Sequence, residues 1–374
     1  MNIPFPRVKG KLGFGFMRLP TNENKDVEIE SVKEMVDLFM AEGFNYFDTA
    51  HGYVGGKSEI ALREALVDRY PRESYVIADK LSSPHFKCEE EIRPLIEEEL
   101  KTVGVDYFDF FLMHAQDKEN YAKYKRCRAF EIAGQMKSEG KIRHLGMSFH
   151  DTAEVLDMIL SEHPELDFVQ LQLNYADFDD PSVQSGKCLE VANKHRKPVI
   201  VMEPVKGGTL VNLPEAADRL LREAGDGSNA SYAIRFAAGC EGVFMVLSGM
   251  GTRDMVLDNT SYMKDFKPLS EGEMRAVEGV MELFRSRSDI PCTDCKYCEE
   301  VCPKSIPIPA LFSCLNAQNN FKYWNTSYYY GIHTEGRGRA RDCIKCGFCE
   351  KACPQHLKIR DLLVRVSETF DKEK

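Results

Sequence analysis

The chain has 374 residues, 43% of them hydrophobic and 29% charged, enough to bury one large core with a smaller one beside it. No apolar run reaches the roughly 18 residues that span a bilayer, and the opening MNIPFPRVKGK lacks the apolar stretch of a secretion signal, so a cytoplasmic protein with no membrane partner is expected. Net charge is -10, yet residues 285–374 hold 15 Lys and Arg against 11 Asp and Glu; the body before them is strongly acidic, which argues against a nucleic-acid partner.

From residue 11 onward, short runs rich in β-branched and aromatic residues alternate with charged segments of helical period. Eight strands are predicted: LGFGFMRL (12–19), NYFDTA (45–50), YVIADKL (75–81), YFDFFLMH (107–114), IRHLGMS (142–148), FVQLQLN (168–174), PVIVMEP (198–204) and GVFMVLSG (242–249). Between them lie helices such as VEIESVKEMVDLFMAEG and TAEVLDMILSEH, with Gly43 and Gly104 placed to end two of them. Eight βα units in under 300 residues close most naturally into a (β/α)8 TIM barrel, over residues 1–284. An open doubly wound sheet is the rival. No strand is followed by a GxGxxG loop with an acidic residue about 20 positions on, and Gly13-Phe14-Gly15 reads instead as a strand end where backbone comes close to something.

Ser270 and Glu273 form a capping box that opens a bridging helix running to about Arg287. Then cysteine, proline and glycine take over, in a second domain over residues 285–374. Its insert FKYWNTSYYY (321–330) has no clear period and is expected to pack around the cysteines or over the barrel mouth. The run Glu89–Glu91 and Glu97–Glu99 reads as the solvated face of one helix.

Eight of the 13 cysteines lie in CTDCKYCEEVCP and, 51 residues later, CIKCGFCEKACP. In a reducing compartment such a set binds metal rather than forming disulfides, and structural zinc favours two separated CxxC pairs over this spacing. The run resembles that of bacterial two-cluster ferredoxins, whose fourth cysteine ligates the other cluster, and the likeness covers residues 288–360. It implies a ferredoxin-like domain with two [4Fe-4S] clusters, one on Cys292, Cys295, Cys298 and Cys353, the other on Cys343, Cys346, Cys349 and Cys302.

Catalytic residues of such barrels come from the carboxyl ends of strands. Strand 2 ends in Asp48 and runs on to Tyr53, strand 3 ends near Lys80, and strand 4 ends in His114. Singly, these read as a turn-capping aspartate, a solvated lysine and a core histidine. At consecutive strand ends they form an acid site in which Lys80 lowers the pKa of Tyr53, Asp48 holds that lysine charged and in place, and His114 binds a carbonyl oxygen. His51, His85, His144, His163, His195, His333 and His356 belong to no such set and read as structural or exposed.

FDTAHGYVGGKSE, ADKL, FFLMHA, IRHLGMSFHD, LQLNY and SGMGTRDMVLDN resemble the successive motifs of the aldo/keto reductase superfamily, in its order, over residues 11–265. The resemblance implies an NADP(H)- or NAD(H)-dependent oxidoreductase for a small carbonyl or alcohol substrate, with Asp48, Tyr53, Lys80 and His114 as its tetrad. Ser148, His150 and Gln172 are then expected along the nicotinamide, and Gly249, Asp258 and Asn259 at the adenosine end. Where the family often stacks a tyrosine, after strand 7, this chain has Met202 and Glu203; where an arginine often grips the phosphate stands Met255, leaving Arg253 or Lys206 as substitutes. Hydride moves as an electron pair and clusters pass single electrons, so the clusters are either structural, or linked to an external electron carrier, or the supply for a flavin or radical step in the barrel. A non-catalytic redox module stays open as a third reading.

Overall fold

The computed structural model describes residues 4–286 and 290–372. Eight parallel strands close a barrel: β1 (Leu12–Gly15), β2 (Tyr46–Asp48), β3 (Val76–Leu81), β4 (Phe108–Gln116), β5 (Ile142–Phe149), β6 (Phe168–Gln172), β7 (Val199–Met202) and β8 (Val243–Ser248). Each pairs with the next, and β8 returns to β1 through Leu12↔Val246 and Gly13↔Leu247. Both faces are buried, which is why the strands read as continuous apolar runs. Tyr46, Val76, Ala78, Phe110, Leu112, Phe168, Ile200 and Met245 fill the interior, while Phe47, Ile77, Phe111, Val169 and Val246 face the surrounding helices.

At the amino-terminal end of the barrel Phe5 closes the interior, its ring 4.9 Å from those of Phe110 and Phe244. Burying a ring of this kind contributes about 1.5–3 kcal/mol. At Gly13 the backbone comes close to its neighbours: a Cβ there would lie 2.7 Å from Leu247 Cδ2 and 2.9 Å from Tyr46 Cδ1.

The helices around the barrel are α1 (Ile29–Ala41), α2 (Ser58–Leu62), α3 (Ile92–Val103), α4 (Lys118–Arg126), α5 (Ala129–Ser138), α6 (Ala153–Glu162), α7 (Ser185–Lys194), α8 (Glu215–Ala224), α9 (Asn229–Gly239) and α10 (Arg253–Met263). α3 ends where Gly104 takes up the left-handed conformation. The reading of Glu97–Glu99 as a solvated face needs correction. Glu99 falls on the inward stripe of Ile92, Leu95, Ile96, Leu100 and Val103 and is wholly buried, while Glu97 and Glu98 stay exposed.

The bridging helix α11 (Glu271–Ser286) opens on the expected box: Ser270 N–H donates to Glu273 Oε2 at 2.8 Å, and Glu273 N–H to Ser270 Oγ at 3.3 Å. Arg287 lies outside the described residues. Beyond it come α12 (Tyr297–Glu300), α13 (Ile308–Phe321), α14 (Asn325–Thr334), α15 (Phe348–Ala352) and α16 (Ile359–Phe370). The aperiodic insert is therefore helical. Its aromatic residues lost their period because more than one face of α14 is buried against protein. Ile308, Leu311, Phe312, Leu315, Ile359, Leu363 and Val366 make the core of this tail. Among the described residues no helix is long and apolar enough to cross a membrane.

Candidate functional site

Asp48 closes β2, Lys80 is the penultimate residue of β3, and His114 lies toward the end of β4, so parallel register brings all three to one mouth. Tyr53 arrives on the loop after β2, in a turn where Val54 (φ 52°), Gly55 and Gly56 are all left-handed. The Lys80 ammonium is buried, 2.6 Å from Asp48 Oδ1 and 2.5 Å from the Thr49 carbonyl, and 4.7 Å from the centre of the Tyr53 ring. Gln170 Nε2 reaches the other Asp48 oxygen at 3.5 Å. Across the mouth, the His114 ring lies 5.7 Å from that of Tyr53, and its Nδ1 is 2.6 Å from Ser82 Oγ.

Burial works against the Lys80 charge, but Asp48 and Tyr53 turn the balance and raise its pKa. For Tyr53 the balance runs opposite to the sequence expectation. Burial raises the phenol pKa more than Lys80 lowers it, so the group keeps its proton firmly. Burial and the Lys80 charge push His114 well below the ordinary histidine range, leaving a neutral ring.

Ser148 Oγ accepts from the Ala115 N–H at 2.7 Å. The His150 ring meets Tyr328 edge-on at 5.7 Å, and burial lowers its pKa to about 4. Gln172 donates to Asp177 Oδ2 at 2.8 Å, and its own oxygen accepts from Tyr329 at 3.1 Å and Asn325 at 3.3 Å. Glu203, itself left-handed, accepts from Tyr323 at 2.7 Å, and Arg18 stands 3.9 Å away. Arg18 also covers Gly249, its Cδ 3.3 Å from where a Cβ would be. Asn259 is buried, donating to Ser248 Oγ at 2.6 Å and accepting from Tyr262, and Asp258 accepts from Ser228 at 2.7 Å. Arg253 opens α10, exposed. Lys206, offered by the sequence as an alternative phosphate cation, is instead buried against Asp177 beneath the Phe321 ring.

Sequence reasoning missed the partners: Thr49, Ser82, Gln170 and Asp177 in the barrel, and Tyr323, Asn325, Tyr328 and Tyr329 on the tail. Ser82, two residues beyond Lys80, is the one that strand-end position alone would have flagged. The aromatic insert thus packs over the barrel mouth, with Tyr328 also donating to Asp117 at 2.8 Å.

The eight cysteines of the two motifs line two small pockets. Cys302, Cys343, Cys346 and Cys349 line one; Cys292, Cys295, Cys298 and Cys353 line the other. Each pocket thus takes three sulfurs from one motif and the fourth from the other. The repeat is structural as well: Asp294 and Lys345, Lys296 and Gly347, and Ser305 and His356 are left-handed pairs at the same 51-residue offset. Burial raises the Cys298 thiol to about 12 and Cys349 to about 11, so metal binding there must displace protons. The remaining walls are largely apolar, with Ile306, Ile308, Phe312 and Leu363 among them, a donor set and surface that fit an iron–sulfur cluster.

A closed (β/α)8 barrel with a lysine, an aspartate, a tyrosine and a histidine at its carboxyl mouth is the layout of a barrel enzyme. Residues 11–282 match the model of the aldo/keto reductase family, and residues 291–357 that of the 4Fe-4S dicluster domain. The chain belongs to the aldo/keto reductase family and carries an iron–sulfur domain toward its carboxyl end. It is 30% identical over 149 residues to probable aldo-keto reductase 1 of Glycine max, covering 37% of this chain and 41% of that protein. It is 25% identical over 185 residues to the NADH-specific methylglyoxal reductase of Escherichia coli K12, covering 45% and 54%. The chain spans about half the length of these curated relatives. Among solved structures, an aldo-keto reductase from Klebsiella pneumoniae in complex with NADPH superposes at TM-score 0.59 with 18% identity, over 72% of this chain and 90% of that one. The holo form of one from Bacillus halodurans gives 0.57 and 24%, over 72% and 91%. At these identities the likeness is one of fold.

Proposed function

We propose that the barrel, residues 1–284, interconverts a small carbonyl compound and its alcohol with NADP(H) or NAD(H), and that residues 285–374 hold two [4Fe-4S] clusters on the crossed cysteine sets. One observation carries the reading: the line from buried Asp48 through buried Lys80 to half-buried Tyr53, facing a neutral His114 across one mouth.

A bound reduced nicotinamide supplies the hydride; the chain supplies the proton and the oxygen site. Tyr53 keeps its phenolic proton at neutral pH and gives it to the substrate oxygen as negative charge develops there. Lys80, held by Asp48 and the Thr49 carbonyl, stabilises the phenolate left behind. With Ser82 donating to Nδ1, His114 presents an Nε2–H to the same oxygen. Ser148, His150, Gln172 and Glu203 face the nicotinamide end; Gly249, Arg253, Asp258 and Asn259 form the adenosine end, with Arg253 as the phosphate cation. Lys206, committed to Asp177, has no part in this binding.

The clusters, when bound, supply one-electron transfer. Cys295 and Cys346 are exposed, which supports exchange with an external carrier. α13 links that region to the mouth: its first turn lines the pocket of Cys292, and its last residue, Phe321, lies on Lys206 about 20 Å away.

The test is anaerobic, on the full chain with clusters reconstituted. NADPH or NADH oxidation is followed with a panel of small aldehydes and ketones, and Tyr53→Phe should lose at least ~100-fold in rate with the cluster absorbance unchanged. An equally active Tyr53→Phe protein would remove the reading. Chemically reduced clusters mixed with NADP+ test the electron link: loss of the cluster EPR signal as NADPH appears connects the two sites.

A further inference from the structure

Behind the catalytic lysine, on the outer side of β3, sits a polar cluster that carbonyl chemistry leaves unused. It gathers Glu59 of α2, Asp79 of β3 and Glu99 of α3, all buried, with the half-buried His51 at its edge. His51 Nδ1 lies 3.1 Å and 3.3 Å from the two oxygens of Glu59, and Asp79 Oδ2 has no hydrogen-bond partner. Neither carboxylate oxygen of Glu99 has a hydrogen-bond partner. One ligand atom from each of His51, Glu59 and Glu99 lies within 4.8 Å of the other two.

Three buried carboxyls side by side cannot all be ionised unaided. The nearest ammonium, Lys80, is spent on Asp48 and the Thr49 carbonyl inside the barrel. A proton on Glu99 would cancel its charge yet leave a buried hydroxyl with nothing to donate to. A divalent cation satisfies the carboxylate and the charge together. At metal–ligand distances of about 2.0–2.2 Å, opposite ligands stand at most about 4.4 Å apart, so these side chains close on an ion by moving roughly half an ångström. His51, a quarter exposed, leaves a way in from solvent.

We propose that His51, Glu59 and Glu99 bind a divalent cation of the Mn²⁺, Fe²⁺ or Zn²⁺ class, the ions suited to one imidazole and two carboxylates. His51 and Glu59 flank Tyr53 in sequence, His51 just before the turn shaped by left-handed Val54, Gly55 and Gly56 and Glu59 in the α2 turn just after it, and Glu99 belongs to the neighbouring helix. The cation ties the tyrosine loop to α3 and acts as a positioning device for Tyr53. The binding claim stands by itself; the effect on turnover rests on the carbonyl reading above.

The experiment uses the full, cluster-reconstituted chain, freed of loose metal by chelator and desalting under argon. MnCl2 is titrated in while free Mn²⁺ is counted by its EPR signal. One saturable equivalent is expected, with affinity lowered at least tenfold in Glu99→Gln and in His51→Gln, the second being a change at the partly exposed edge of the cluster that spares folding. No saturable binding in the parent, or equal binding in both variants, overturns the site. So does a protonated-carboxyl infrared band that Glu99→Gln removes while Mn²⁺ leaves it unchanged. In turnover, Mn²⁺ should raise kcat of the parent and not of Glu99→Gln, with KM for the carbonyl constant; a change in KM alone overturns the positioning of Tyr53.

Discussion

The Tyr329 hydroxyl donates to Gln172 Oε1 at 3.1 Å, so a side chain of the cysteine-rich tail completes the hydrogen bonding of a residue at the end of β6. Asn325 shares that oxygen, and Asp177 takes the amide nitrogen. The tail is thus part of the mouth.

If Gln172 serves the nicotinamide, its tail partners compete with the cofactor for its oxygen. Tyr329→Phe removes one competitor at about 1 kcal/mol of stability. KM for NADPH or NADH should fall severalfold while kcat moves less than about twofold, the pattern of a change in uniform binding. Steady-state kinetics decide: constant KM in both Tyr329→Phe and Asn325→Ala would mean that Gln172 does not meet the cofactor.

The crossed pockets make a pairwise prediction about iron. Cys302→Ala alone should lose one cluster, about half the bound iron. Adding Cys346→Ala, from the same pocket, should cost nothing further, whereas adding Cys295→Ala should remove the rest. Iron analysis and EPR of the three proteins distinguish this from uncrossed ligation, in which Cys302 would pair with Cys295 instead.

The barrel and the meeting of Asp48, Tyr53, Lys80 and His114 at one mouth were legible because their signals are local. A strand buried on both faces spells a continuous apolar run, and its last residues announce themselves, as Asp48 and His114 do. The cysteine spacing was legible for the same reason. What stayed hidden depends on contacts distant in sequence. Glu99 looked solvated because its neighbours Glu97 and Glu98 are, although its place on the α3 stripe turned it inward. Lys206 looked free because its partner Asp177 lies 29 residues away, and burial of Tyr53 outweighed Lys80 through walls that a sequence does not display.

Lys206 and Arg253 should separate cleanly. Lys206→Met strands a buried Asp177 and should cost about 3–5 kcal/mol of stability, with the NADPH to NADH preference of the residual folded protein unaltered. Arg253→Ala, on an exposed turn, should leave stability within about 0.5 kcal/mol. If Arg253 is the phosphate cation, that variant should also raise KM for NADPH and spare NADH. Urea midpoints and paired cofactor kinetics check both; a preference moved by Lys206→Met would reverse the assignment.

Acid should weaken the fold through His150. Its folded pKa is about 4 against about 6.5 when unfolded, so between those values the unfolded chain binds the extra proton and stability rises with pH. The stability is whole above about pH 6.5 and is lost as pH falls toward 4, by on the order of 1–3 kcal/mol. His114, lowered for the same reason, adds in the same direction. Anaerobic urea unfolding at about pH 7 and about pH 5 should show a smaller loss in His150→Gln than in the parent. An identical loss would place the acid sensitivity elsewhere.

The last expectation concerns the upper end of the pH range. Because burial raises Tyr53 above the ordinary phenol value of about 10, the proton it would donate in the proposed reaction stays on the ring through neutral and mildly basic conditions. Carbonyl reduction at saturating cofactor should therefore be flat from about pH 7 to 9 and decline only beyond about 10. Lys80 is the neighbour that lowers this pKa, so Lys80→Met should push the decline still higher while cutting the rate, since the phenolate loses its counter-charge. A basic limb centred near pH 8 in the parent would show that Lys80 outweighs burial in the working enzyme, with the phenol lowered as the strand-end pattern first implied.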